Sequence, residues 1–309
     1  MNHQHPTFLN GKPLLEALAS GSDLSGLLNA NLDGCGLSTV PPGIFSLPSL
    51  TSLSLYDNLL TEIPTAIAGL RGLRTLNLGQ NRLEAIPEDL GSLVLLEMLD
   101  LGHNCIRSLP ASLGALTHLA FLYLSNNQLD CLPESLCGLA ELRYLNLTDN
   151  NFAELPAWIG RLDGLIELGV YDNALTHLPT QIGQLSNLVE LHAEHNKIEK
   201  LPDEIGQLSS LSRINLQSNK LCEIPEAIGG LSNLTELNLR FNNLLTLPAS
   251  FTRLQSLEYL DLRANALTTL PDDLDSLTRL RKLDLRWNRL EKTPRCLEAF
   301  AGRGCVVYT

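Results

Sequence analysis

The stretch Leu122-Tyr-Leu-Ser-Asn-Asn127-Gln-Leu129 decides the fold. Its Leu-x-Leu alternation has the two-residue period of a β-strand, so Leu122 and Leu124 point inward and their neighbours Phe121 and Tyr123 outward. Beyond the asparagine the apolar spacing lengthens to three. In the corresponding part of the following unit, Pro156, Ile159 and Leu162 fall on one side of a helical or 3₁₀ turn. Proline at the first position of such a turn gives up an amide that would be unpaired anyway. The asparagine reads as a buried structural residue whose amide satisfies backbone groups of the turning chain and of the next coil.

Working outward, the same asparagine recurs at 58, 81, 104, 127, 150, 173, 196, 219, 242, 265 and 288, always 23 residues apart, and Cys35 holds the register one step upstream. A proline follows six residues later in all twelve units, from Pro41 to Pro294. The unit reads Leu-x-Leu-x-x-Asn-x-Leu-x-x-Leu-Pro-x-x-Ile-Gly-x-Leu and covers about nine-tenths of the 309 residues. No unit can bury its leucines alone, so the stack reads as one domain.

This pattern resembles the leucine-rich repeat family. The resemblance implies an α/β solenoid, a horseshoe with a parallel sheet on the concave side and short helical or 3₁₀ turns on the convex side. The 23-residue unit is similar to the intracellular repeats of Ras-binding scaffold proteins and of plant Ras-group proteins, and to bacterial repeat arrays. Some of those arrays carry a kinase, GTPase or ubiquitin-ligase module, for which the repeats here leave no room. Residues 28–300 are assigned to the twelve repeats. Residues 1–27 break the register and form an N-terminal cap containing a short amphipathic helix, Pro13 to a glycine stop at Gly21. The last unit replaces its expected leucine with Thr293, and residues 301–309 read as a turn and a closing strand.

Composition narrows the function. With 22 Lys+Arg against 34 Asp+Glu, the net charge of −12 argues against a nucleic-acid partner and against docking on an anionic membrane. No run of 18 apolar residues suggests membrane insertion, and Met-Asn-His-Gln-His-Pro-Thr-Phe lacks the character of a secretory signal. A cytoplasmic monomer is expected. Its seven cysteines (35, 105, 131, 137, 222, 296 and 305) include no Cys-x-x-Cys pair. They are expected to be reduced and mostly buried, with a Cys296–Cys305 bridge as the alternative.

No phosphate-binding loop, Gly-x-Ser-x-Gly elbow or His-Glu-x-x-His helix is present. Glu190, His192 and Glu194 alternate along one strand and offer two carboxylates and an imidazole, but side chains two apart on one strand splay and fall short as a ligand set. A solvated polar strand is the expectation, with neither cofactor nor metal. The outward strand positions carry a clearer signal. Five of the six tyrosines (Tyr56, Tyr123, Tyr144, Tyr171 and Tyr259) fall there. Phe121, Tyr123, Tyr144 and Tyr171 lie on three successive units, and are expected to form one exposed patch. Tyrosine also favours strands, which alone enriches it there.

Charge on this surface is patterned too. Glu167, Glu190 and Glu194 precede a C-terminal group in which Arg240, Arg263 and Arg286 form one column and Asp261 and Asp284 the next, with Phe241 and Trp287 at the edge. This reads as a self-neutralising Arg–Asp ladder or, alternatively, as a steering surface for an acidic segment. The leading expectation is a non-enzymatic protein-interaction module in signalling or scaffolding. A secreted bacterial effector acting on a host protein, with residues 1–27 as a flexible export signal, is the alternative, and a metal-dependent enzyme the third.

Overall fold

In the computed structural model, which describes residues 7–309, the chain divides into two compact units, Met1–Asn150 and Asn151–Thr309. The first contains strands β1 (Phe8–Asn10), β2 (Asn29–Asn31), β3 (Ser52–Ser54), β4 (Thr75–Asn77), β5 (Met98–Asp100), β6 (Phe121–Tyr123) and β7 (Tyr144–Asn146). Each pairs in parallel with the next, at a register offset of 23 from β2 onward. The second contains β8 (Glu167–Gly169), β9 (Glu190–His192), β10 (Arg213–Asn215), β11 (Glu236–Asn238), β12 (Tyr259–Asp261), β13 (Lys282–Asp284) and β14 (Val306–Tyr308), also paired in parallel, with the 23-residue offset kept up to β13 and lost at β14. In both units five-residue 3₁₀ turns, such as Thr65–Gly69 and Thr180–Gln184, form the face opposite the sheet. The fold is a leucine-rich solenoid. Among the described residues no helix is long and apolar enough to cross a membrane.

The leucines of each coil meet those of the neighbouring coils in the core. Leu53, Leu76, Leu99 and Leu122 on successive strands are at most 1% exposed. The asparagines tie one coil to another. Asn58 Oδ1 accepts the Leu37 amide, and its Nδ2 donates to the carbonyls of Leu32, Leu55 and Tyr56 at 2.9–3.2 Å. Asn150 repeats the pattern with Leu129 N, Leu124 O, Leu147 O and Thr148 O. The partners in the adjacent coil lie 21 and 26 residues upstream, so each asparagine reaches back to the coil before it, not on to the next. A side chain with two donors and one carbonyl is needed to do this.

To aim that side chain inward, the residue before each asparagine adopts a left-handed conformation, with φ between +51° and +61° from Asp57 to Trp287. Asp, Asn and His tolerate this conformation. Phe241, Ala264 and Trp287 tolerate it less well, and each carries a backbone cost of about 1–2 kcal/mol.

Proline stands one residue earlier than the first helical position. Pro64 precedes the turn, and its carbonyl accepts the Ile67 amide at 3.0 Å. Its fixed φ of −62° sets the entry angle.

The ends depart from the sequence reading. The N-terminal helix α1 runs Gly11–Ser20 and stops at Gly21 in the left-handed conformation. Leu14 is fully buried and β1 pairs with β2, so the described part of the 1–27 segment is folded onto the first repeats and is not a flexible tail. The first six residues of that proposed export signal lie outside the described residues. At the other end a second helix, α2 (Cys296–Gly302), absent from the sequence reading, precedes the expected turn and closing strand β14. All seven cysteines are free, but only Cys296 and Cys305 are buried, while Cys131 and Cys222 are exposed. With two thiols buried, three half-buried and two exposed, the expectation of mostly buried cysteines is overturned.

The Ile-Gly step of the repeat follows from close approach between turns. A Cβ added at Gly114 would clash with the Ser135 carbonyl oxygen, whereas at Gly69 the nearest contact is 3.7 Å. Gly114→Ala is therefore expected to destabilise the protein by about 1–3 kcal/mol through overpacking, and Gly69→Ala to leave it near wild type. Urea unfolding of the two variants checks this, and equal midpoints would contradict it.

Candidate functional site

The core uses only the inward residues, so the opposite side of each sheet is free to carry other chemistry. In the first unit this face is aromatic. Phe121 on β6 is the Cα partner of Tyr144 on β7, and the Tyr123 and Tyr144 rings pack with centroids 4.8 Å apart at 39°. Phe121 is exposed, while Tyr123 and Tyr144 are half-buried. The two tyrosines cover each other, so the expected fully exposed patch is instead a partly packed cluster with Phe121 at its accessible end. Beside Phe121 lies a depression of about 430 Å³, bounded by Leu95 and Ala120 and by polar residues including Arg74, Glu97, His118 and Glu141. Arg74 pairs with Glu97, and His118 Nδ1 lies 3.1 Å from Glu141 Oε1. Tyr56, farther along the same sheet, is exposed and donates its hydroxyl to Gln80 Oε1 at 2.7 Å.

Tyr171 belongs to the second unit and is half-buried there. That unit's sheet face is polar and charged. His192 Nε2 stands 3.2 Å from Glu190 Oε2 and 3.8 Å from Glu167 Oε1, and Arg213 Nη2 stands 2.8 Å from Glu190 Oε1. The converging residues are thus Glu167, Glu190 and His192, in place of the Glu190, His192 and Glu194 that strand alternation suggested. Glu194 is separate: burial pushes its carboxyl above the usual range, and its Oε2 has no hydrogen-bond partner among the described residues.

Farther along this face the arginines and aspartates are paired. Asp261 accepts from Arg263 Nε and Nη2 at 2.9–3.1 and 2.5 Å, and Asp284 accepts from Arg286 Nε and Nη2 at 3.0 and 2.7 Å. Arg263 Nε also reaches Asp284 Oδ2 at 3.4 Å, which links the two strands. Arg240 instead donates to Gln217 Oε1. Burial raises the Asp284 carboxyl, but the hydrogen bonds from Arg286 and the charges of Arg263 and Arg286 outweigh it and leave its pKa below the ordinary value. This geometry matches the self-neutralising ladder. A depression of about 420 Å³ lies over this region, lined by exposed Tyr259 and Lys282 and by half-buried Asn215 and Asn238.

At the edge, Phe241 and Trp287 stack with centroids 6.5 Å apart at 28°, and Trp287 is 68% exposed. Arg286 lies over both the Trp287 and Tyr308 rings, at 5.9 and 4.8 Å. Sequence reasoning missed Tyr308 and the floor residues Asn215 and Asn238. Their signal was available, since the asparagines occupy outward strand positions and Tyr308 sits on the closing strand.

A repeating sheet face over a leucine core, with its chemistry on the outward residues, defines a class of recognition scaffolds. The matches place the chain within it. Residues 126–216 and 193–301 match a model described as leucine-rich repeat region, and residues 26–83, 71–129 and 96–152 match one described as leucine rich repeat. The chain belongs to the leucine-rich repeat family. It is similar to a solved Leptospira interrogans leucine-rich repeat protein at 35% identity and TM-score 0.87, over 93% of this chain and 73% of that one. It is also similar to the Arabidopsis receptor kinase HAESA, solved with the peptide hormone IDA and the co-receptor SERK1, at 30% identity and TM-score 0.70. That match covers 90% of this chain and 53% of the receptor chain. An internalin from Listeria monocytogenes shares the fold at 22% identity and TM-score 0.73, over 96% of this chain and 94% of that one. Comparison with curated proteins returns no match.

The lowered pKa of Asp284 gives a signed expectation. A depressed carboxylate contributes stability above its unfolded pKa, about 3.9, and loses it as pH falls through the folded value. The stability gap between wild type and Asp284→Asn is therefore expected to be largest near neutral pH and to shrink toward about pH 3. Thermal melts of both proteins across that range check it, and a gap that widens in acid would contradict it.

Proposed function

We propose that this chain is a non-enzymatic recognition module that holds a short extended segment of a protein partner on its sheet face, centred on Phe121, Tyr123 and Tyr144. The observation that carries the reading is the aromatic cluster itself: three large rings stand where the leucine core does not need them, beside a depression with apolar and charged walls. Rings with two torsions give contact area at small entropic cost, and the rigid sheet needs little ordering on binding. Two similar structures were solved as complexes with peptide hormones, HAESA and the plant receptor RGFR1, the latter at 28% identity. Seven free thiols suit action in a reducing compartment.

The test uses peptides selected from a random library on the wild-type chain. Phe121→Ala, Tyr123→Ala and Arg263→Ala are then compared for melting temperature and for binding of those peptides. Each aromatic variant is expected to bind at least tenfold more weakly with little change in melting, a loss of about 2 kcal/mol per ring. Arg263→Ala should have a smaller, salt-dependent effect. Loss of binding in Arg263→Ala with normal binding in both aromatic variants would place the site in the wrong unit.

A further inference from the structure

The second unit brings an imidazole and two carboxylates together through the cross-strand register. Glu167 on β8 and Glu190 on β9 are Cα partners, and the Cα partner of His192 is Gly169. With no side chain at 169, the imidazole has room beside β8, where its Nε2 reaches within 3.8 Å of Glu167 Oε1 while lying 3.2 Å from Glu190 Oε2. One donor atom from each residue lies within 4.8 Å of the others, and all three residues are half-buried.

These spacings suit a metal ion. Ligands on a tetrahedral ion at about 2.0–2.2 Å stand roughly 3.3–3.6 Å from one another. The two distances from His192 bracket that value, and any wider gap between the carboxylates closes by rotation of one glutamate side chain. Arg213 engages Glu190 through Oε1, which leaves Oε2 turned toward the imidazole. An outer partner of this kind fixes the orientation of a ligating carboxylate. Arg213 offsets one of the two glutamate charges, so the set remains net negative.

We infer that Glu167, Glu190 and His192 form a binding site for a divalent transition-metal ion of the zinc type. One nitrogen and two carboxylate oxygens suit such an ion. Calcium takes six to eight oxygen ligands, and magnesium keeps most of its waters. Three protein donors leave a coordination position open. His192 and Arg213 also line the depression of about 420 Å³, so this position is accessible to a donor atom from a partner.

The experiment is a calorimetric titration of the full chain with zinc chloride, in a background in which His3→Ala, His5→Ala, Cys131→Ser and Cys222→Ser remove donors outside the proposed set. One saturable zinc site is expected, with no comparable response to calcium or magnesium. His192→Ala and Glu167→Gln should each weaken it at least tenfold with melting unchanged, and His195→Ala should leave it intact. Absence of a saturable site in the background protein, or an affinity unaltered by both ligand substitutions, would overturn the inference.

Discussion

The asparagine bonds that fasten each coil to the one before it are the interaction on which the rest depends. Asn150 satisfies an amide 21 residues upstream and a carbonyl 26 residues upstream, together with two carbonyls of its own turn. No apolar residue can replace it, because the turning backbone would then leave buried polar groups unpaired. These bonds fix the coil length at 23 residues. A fixed length keeps every inward leucine over the leucine of the preceding coil, so the core becomes a column of side chains that pack without slipping. The close approach at Gly114 and the left-handed residue before each asparagine are consequences of the same tight repeat.

That constraint also explains where function can reside. It uses the inward residues and one asparagine per coil, and leaves the outward strand residues free. Successive strands at a fixed offset then place residues 23 apart side by side. Phe121 meets Tyr144 in this way, Glu167 meets Glu190, and Asp261 meets Asp284. A sequence column thus becomes a surface column. The strained position at the edge shows the same logic at a cost: Phe241 and Trp287 stand exposed and stacked on left-handed backbone that smaller polar residues occupy elsewhere.

Much of this was legible in the sequence because periodicity is a one-dimensional signal. The strand positions, the leucine core, the turns and the asparagine column all follow from the 23-residue register. What escaped lacks that register. Helix α2 and strand β1 lie in the caps, where no second copy of the pattern exists to confirm a reading. The grouping of acids around His192 was misplaced for a different reason. Alternation along β9 selects Glu194, but proximity depends on side-chain direction across strands, and the glycine at 169 lets His192 approach Glu167 instead. The tyrosines were read as exposed because outward positions face solvent in an isolated strand. Contact between neighbouring rings then buries half of Tyr123 and Tyr144.

The central claim concerns the asparagine bonds, and Asn150 tests it most directly. Its Oδ1 accepts the Leu129 amide at 3.0 Å, and its side chain is 8% exposed. Hydrogen exchange at that amide, measured together with urea unfolding of Asn150→Ala, reads both the bond and its contribution. The account predicts loss of protection at Leu129 and a destabilisation of about 1–3 kcal/mol from buried groups left unpaired. An unchanged unfolding midpoint with Leu129 protected as in wild type would contradict it.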